Sequence, residues 1–239
     1  MQLKVFSSTV RGSERRINQD ALGQHNRVVS SVAEHHNICE VDLNKTGQLF
    51  CVADGIGGHK GGEHASHMAV EHITGGAKNI ANIDDLAGLI QCAHRLIISK
   101  APTFNSVGMG TTIAVTMVKS DVILWANVGD TRIYTKSHHG FSQLSTDDTP
   151  IGLKSSNIIT QCLGGNDLRP ISPHIGQIAT ATTTKIAIFS DGITNFLGDS
   201  YLYDALSSNN TNPAKSLCKA AVNSGSYDDC TALIVYINH

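Results

Sequence analysis

Three aspartates, far apart in the chain and each beside an apolar run, constrain this sequence more than any other feature. They are Asp54 in Val52-Ala53-Asp54-Gly55-Ile56-Gly57-Gly58-His59, Asp191 in Phe189-Ser190-Asp191-Gly192 and Asp228 in Asp228-Asp229-Cys230-Thr231. Each ends or follows a stretch that reads as a β-strand, so pairing of those strands brings three carboxylates to one end of a sheet. An all-oxygen cage suits hard divalent cations such as Mg²⁺ or Mn²⁺ and leaves positions for water and phosphate oxygens. That donor set implies metal-assisted chemistry on phosphate esters.

With 239 residues, 41% of them hydrophobic and 16% charged, the chain supports one substantial core, and residues 1–239 read as a single domain. A formal net charge of -2, without any Lys/Arg run or basic-aromatic stripe, argues against nucleic acid as a partner. Met1 to Thr9 lacks the pattern of a signal peptide, and no run approaches the roughly 18 apolar residues of a membrane span. The expectation is a cytoplasmic monomer with no membrane partner. Cys39, Cys51, Cys92, Cys162, Cys218 and Cys230 lack CxxC spacing and read as reduced thiols, mostly small core fillers.

Apolar periodicity predicts strands over 2–9, around 21–30 and over 48–53, then helices over 62–76 and 84–100, with Pro102 as a helix stop. Four short β-branched runs at 111–118, 122–128, 131–135 and 140–144 read as an antiparallel meander. Strands at 186–189 and 232–237 enclose helices at 199–207 and 213–223. This order is α+β, not alternating βαβ.

Alone, the turn from Gly55 to Gly62 reads either as a tight strand-to-helix connection or as an anion-binding loop at a helix start. It lacks the glycine patterns of nucleotide sites, and the aspartate leading it favours a metal. His59, His64, His67 and His72 invite a zinc reading. No HExxH pattern or set of four spaced ligands supports one, and they read as helix residues that titrate near neutrality.

Taken together, Arg15-Arg16-Ile17-Asn18-Gln19-Asp20, the Asp54 segment, Gly108-Met109-Gly110-Thr111-Thr112, Ala126-Asn127-Val128-Gly129-Asp130-Thr131-Arg132, Ser190-Asp191-Gly192 and Asp228-Asp229-Cys230-Thr231 occur in the order and approximate spacing of the type 2C metal-dependent protein phosphatases. The sequence resembles the compact bacterial branch of that family from about Val5 to Ile237. The resemblance implies a four-layer αββα sandwich, two antiparallel β-sheets flanked by helices, with two Mg²⁺ or Mn²⁺ ions at one end. It matches Asp54 to the carboxylate bridging both ions, Gly55 to a carbonyl ligand of the second, and Asp191 and Asp228 to further ligands of the first. Asp20 matches an acidic residue that binds metal-held water, Asp130 the carboxylate of a third, weaker site shared with Asp191, and Arg15 the arginine that clamps phosphate.

Two ions about 3.5–4 Å apart activate a water for in-line attack on phosphorus, so no protein nucleophile is required. The planar fork of Arg15 suits two phosphate oxygens, although an arginine in such a turn also serves simply to solvate it. His59 is the candidate general acid; a metal-bound water is the alternative acid, and a structural or solvent-exposed role is the alternative for His59.

Four departures from the family pattern stand out. Gln19 replaces a common glutamate; Asp229 replaces the usual asparagine and adds negative charge beside the centre, raising either metal affinity or neighbouring pKa values. Asp148 stands where histidine is common. The mobile flap is cut to roughly Pro150 to Ile158 before Ile159-Thr160-Gln161-Cys162-Leu163-Gly164. The implied activity is serine/threonine phosphoprotein dephosphorylation. A noncatalytic pseudophosphatase that binds phosphoproteins or regulatory partners, and a metal-dependent phosphodiesterase or nuclease, are the alternatives.

Overall fold

The apolar run near the start of the chain and the one at its end lie side by side, and the rest of the structure is layered around them. The computed structural model describes residues 1–24, 26–56, 61–137, 140–150, 158–166 and 169–238. In chain order come β1 (Gln2–Val10), β2 (Asp20–Gln24), β3 (Arg27–Ser30), β4 (Glu34–Asp42), β5 (Gln48–Asp54), α1 (Gly62–Gly76) and α2 (Ile83–Lys100). Then follow β6 (Gly110–Thr111), β7 (Ile113–Val118), β8 (Val122–Val128), β9 (Arg132–Ser137), β10 (Gly140–Gln143), β11 (Leu163–Gly164) and β12 (His174–Ala179). The chain ends with β13 (Thr183–Phe189), α3 (Asp191–Thr194), α4 (Asp199–Ser207), α5 (Pro213–Asn223) and β14 (Cys230–Asn238).

Two six-stranded antiparallel sheets form, in the orders β10-β9-β13-β14-β1-β4 and β12-β8-β7-β5-β2-β3, with β11 and β6 as a small separate pair. The strands next to the middle of each sheet are apolar on both faces because both faces are covered. In β14, Leu233, Val235 and Ile237 point into the space between the sheets, while Ala232 and Ile234 point to the layer of α4 and α5. In β5, Phe50 and Val52 point inward, and Leu49, Cys51 and Ala53 meet α1 and α2. The four-layer sandwich thus follows from period-two alternation between two apolar environments, each fully buried Leu, Ile or Phe contributing about 1.5–3 kcal/mol.

The helices begin and end where their sequences dictate. Asn82 caps α2, accepting from the N–H groups of Asp84 and Asp85, while the Asp85 carboxylate accepts the Asn82 N–H, a complete capping box. Past Lys100 the chain tightens into a 3-10 turn over Ala101–Phe104 with Pro102 near its start. All six cysteines are free of disulfides; Cys51, Cys218 and Cys230 are buried, and Cys92 is exposed.

Three sequence expectations need correction. The single strand expected around 21–30 is a hairpin, β2 pairing with β3. The expected meander is split between sheets: β8 pairs with β7 and β12, whereas β9 pairs with β10 and β13. Gly129, at φ +97°, lies where the chain crosses over. Asp228 precedes its strand instead of following one, because β14 runs away from the acidic end. The shortened flap falls mainly on residues 151–157, outside the described residues.

Ile90 is fully buried on the α2 face that meets the second sheet. Ile90→Ala is expected to lower stability by about 2–5 kcal/mol with an unchanged denaturant slope, read by equilibrium urea unfolding.

Candidate active site

Two strand ends from each sheet bring acidic residues to one place. Asp20 opens β2 directly opposite Asp54, the last residue of β5, in antiparallel register. On the other sheet the Ser190 N–H donates to Thr231 O at 3.0 Å, and the Thr231 N–H donates to Ser190 Oγ at 2.9 Å. This reciprocal pair fastens the exit of β13 to the entry of β14 and sets Asp191 beside Asp228 and Asp229. Asp54 is fixed through its backbone: its N–H donates to Thr112 Oγ1 at 2.9 Å, while Thr111 Oγ1 and the Thr112 N–H each donate to its carbonyl at 2.8 Å. Gly55 must be glycine, since a Cβ there would lie 2.4 Å from Gly62 O and 2.7 Å from Gln19 O.

The charges of these residues are coupled. Burial, then the neighbouring Asp20, Asp191, Asp228 and Asp130, holds Asp54 well above the ordinary carboxylate pKa. Asp20, 1% exposed, is raised by burial and then by Asp229. The Thr231 and Ser190 hydroxyls offset part of that rise, yet neither Asp20 oxygen completes a hydrogen bond of normal geometry. Asp191 is raised by burial and then by Asp228, and its Oδ1 is likewise buried without a partner. Asp130 is pushed up to about 7 by burial and then by Asp191.

Arg15 reaches into this cluster. Its Nε and Nη2 donate to Asp228 Oδ1 and Oδ2 at 2.6 and 2.5 Å, a two-pronged pair, and that hydrogen bonding to Asp228 raises the guanidinium pKa against the opposing effect of burial.

Both oxygens of Asp20 and Oδ1 of Asp191, buried without a protein partner beside Asp54 and Asp130, have the all-oxygen donor chemistry of a hard divalent-cation site, so the residues fit such an ion in kind. Among the described residues, no three His, Cys, Asp or Glu side chains meet the spacing of a metal-holding group as they stand. Arg15 engages both Asp228 oxygens, so that pair competes with any ion for Asp228.

Seven sequence-predicted positions, Arg15, Asp20, Asp54, Gly55, Asp130, Asp191 and Asp228, belong to this end of the sandwich. His59 lies outside the described residues. Of the other histidines, His64 stacks on Phe104 at 4.4 Å between ring centroids, and His67 Nδ1 bonds Ser30 Oγ at 2.9 Å. Gln19 turns its amide to Glu63 Oε2 at 3.1 Å.

The fold and this acidic end define a metal-dependent hydrolase built on a double-sheet sandwich. Residues 36–221 match the model of the protein phosphatase 2C family, and the chain belongs to that family. It is 28% identical over 221 residues to protein phosphatase PhpP of Streptococcus pneumoniae, covering 82% of this chain and 89% of that one. It is 29% identical over 233 residues to the serine/threonine phosphatase stp of Listeria welshimeri, covering 85% and 91%. The crystal structure of the serine/threonine phosphatase Stp1 from Staphylococcus aureus superposes with a TM-score of 0.81 at 25% identity, covering 98% of this chain and 95% of that one.

Asp229 does more than add charge. It is 3% exposed, and its Oδ1 and Oδ2 accept the backbone N–H groups of Gly12 and Gln19 at 2.8 and 2.7 Å. Those two bonds hold both sides of the loop that carries Arg15 and leads to Asp20. Burial raises its pKa and the two backbone bonds work against that rise. The sequence offered a signal, an aspartate in place of asparagine, but not its partners. Asp229→Ala leaves two donors unpaired and is expected to cost about 2–6 kcal/mol in urea unfolding, with Asp229→Asn, which keeps one acceptor oxygen, costing less.

Proposed function

We propose that this chain is a serine/threonine phosphoprotein phosphatase that hydrolyses phosphomonoesters with two Mn²⁺ or Mg²⁺ ions and a weaker third, working as a single-domain cytoplasmic monomer. The observation that carries the proposal is the cluster of Asp20, Asp54, Asp130 and Asp191 around Asp228, in which burial and then neighbouring carboxylates push the first four toward protonation unless a cation joins them. In this reading Asp54, the Gly55 carbonyl, Asp191 and Asp228 hold the core ions, Asp20 orients water, and Asp130 with Asp191 holds the outer ion. When bound, the ions supply a nucleophilic water at neutral pH and neutralise charge on the phosphoryl group.

The chain's own residues do the positioning. Arg15, once its Asp228 partner is exchanged, presents a planar donor fork to two phosphoryl oxygens and offsets the charge that grows there in the transition state. His59 is proposed to donate a proton to the leaving seryl or threonyl oxygen. A phosphoprotein suits the chain's net charge of -2 better than a nucleic-acid phosphodiester, whose binding rests on counterion release by basic residues.

A phosphopeptide assay tests this directly. Hydrolysis is expected to require added Mn²⁺, to stop with a chelator, and to fall at least about 10³-fold in Asp54→Ala and Asp191→Ala, a scale set by loss of metal-assisted activation. Full activity in either folded variant would overturn the metal assignment. Inactivity of metal-loaded wild type on every phosphopeptide and aryl phosphate would instead mark a noncatalytic phosphoprotein binder.

The Arg15–Asp228 pair generates a separate expectation. Arg15→Ala should lower kcat/KM for phosphopeptide by about 10²-fold, the scale of losing one preorganised charge donor, while Mn²⁺ binding measured by calorimetry is equal or tighter because Asp228 is no longer held. Weakened Mn²⁺ binding in this variant would count against the exchange.

A further inference from the structure

The turn that carries Asp130 is gripped from two sides. Gly129 adopts φ +97°, and a Cβ on it would press to 2.6 Å from Thr112 Cγ2, so the turn sits tightly on the link between β6 and β7. On the inner side Thr131 Oγ1 bonds Thr112 Oγ1 at 2.6 Å, and Thr112 Oγ1 also accepts the Asp54 N–H. The outer side is held by Asp148, which no motif of the acidic cluster includes.

Asp148 makes a reciprocal pair with the turn. Its Oδ2 accepts the Gly129 N–H at 2.8 Å, and its own N–H donates to Gly129 O at 3.0 Å. The same Oδ2 accepts Gln161 Nε2 at 3.0 Å, Oδ1 bonds His174 Nε2 at 2.9 Å, and the Asp148 carbonyl accepts the Thr160 N–H at 2.7 Å. Gln161 is itself held to Ser172, whose N–H donates to its Oε1 at 2.6 Å. The Asp148 side chain is 11% exposed, so water competes weakly for these bonds. One backbone donor, Gly129, and two side-chain partners, Gln161 and His174, all from distant segments, therefore meet on one carboxylate. A single neutral ring or amide in place of this carboxylate offers one acceptor atom at most, whereas both carboxylate oxygens accept here.

We propose that Asp148 is a positioning residue for Asp130: it locks the Gly129–Thr131 turn, Thr160–Gln161 and β12 into one block and thereby sets the affinity of the outer cation. This rests on the phosphatase reading above, in which Asp130 serves that ion. Asp148 acts through the turn and touches neither substrate nor metal. The role is one of orienting a ligand from behind, where loss of such a partner costs about 10–100-fold in metal affinity.

The test measures Mn²⁺ binding by calorimetry, and Mn²⁺ activation of phosphopeptide hydrolysis, in wild type, Asp148→Ala and Asp148→Asn. In Asp148→Ala the weakest Mn²⁺ equivalent is expected to weaken by about 10–100-fold with the tighter equivalents unchanged. The Mn²⁺ concentration for half-activation of any step using that ion moves by the same factor, and kcat at saturating metal stays within about threefold. Asp148→Asn is expected to restore most of the binding, because its oxygen accepts from Gly129 and Gln161 while its amide donates to the other tautomer of His174.

Wild-type-like Mn²⁺ binding in folded Asp148→Ala would overturn the proposal. So would equal weakening of every equivalent in both variants together with a lowered melting temperature, the pattern of a merely structural residue. Should Asp148→Ala fail to fold, Gln161→Ala removes a single donor and must still weaken the same equivalent several-fold; unchanged binding there overturns the proposal as well. A wild type that binds Mn²⁺ but hydrolyses no phosphopeptide contradicts the phosphatase reading and leaves the positioning claim to stand or fall on the binding data.

Discussion

Mutual repulsion among buried carboxylates is the constraint on which the rest of this structure turns. Asp20, Asp54, Asp191 and Asp228 arrive from four strand ends of two sheets, and Asp130 from the crossover between them. Bringing five acidic groups together in a region of low polarity is unfavourable in itself, and burial, then the neighbouring carboxylates, raises the pKa values of Asp20, Asp54, Asp130 and Asp191. A fold tolerates such a cluster when surrounding bonds overdetermine its geometry. Here the Ser190–Thr231 pair, the hydroxyls of Thr111 and Thr112, and the close-packed glycines at 55 and 129 do so. The sandwich core supplies the rigidity: three apolar clusters, one between the sheets and one under each helical layer, leave the strand ends little freedom.

Against this background the Arg15–Asp228 pair acquires a dual meaning. It compensates charge, because a guanidinium is the cation the chain itself can offer to Asp228. In the proposed phosphatase reading it also ties two functional groups to each other, so that a cation arriving at Asp228 and an anion arriving at Arg15 would favour the same opening. Thermodynamic reciprocity then links the two ligands: each makes room for the other. Asp229, one residue along, keeps the Arg15 loop in place throughout by holding the backbone at Gly12 and Gln19.

Much of this was legible in the amino-acid order, and the limits have physical causes. Helices α1, α4 and α5 match their periodicity end for end, because one apolar face recurs at helical spacing and caps or glycines mark the boundaries. β4 escaped notice because it is an edge strand whose run Glu34-His35-His36-Asn37-Ile38 mixes polar groups on both faces, and β12 because His174-Ile175-Gly176-Gln177 is interrupted by glycine. The split of the expected meander was hidden because period-two alternation says which residues are buried, not which sheet a strand joins. Acidic residues were legible as a set because strand ends flag them; the bonds behind them were not, since Asp148 finds Gly129, Gln161 and His174 through the tertiary fold alone.

The most direct test of the central claim is anomalous diffraction from crystals of the protein grown with Mn²⁺. The account predicts manganese peaks against Asp54, with Asp191 and Asp228 turned onto them and Arg15 released from Asp228. Manganese bound elsewhere, with the Arg15–Asp228 pair intact and the Asp54 carboxylate facing no ion, would contradict it.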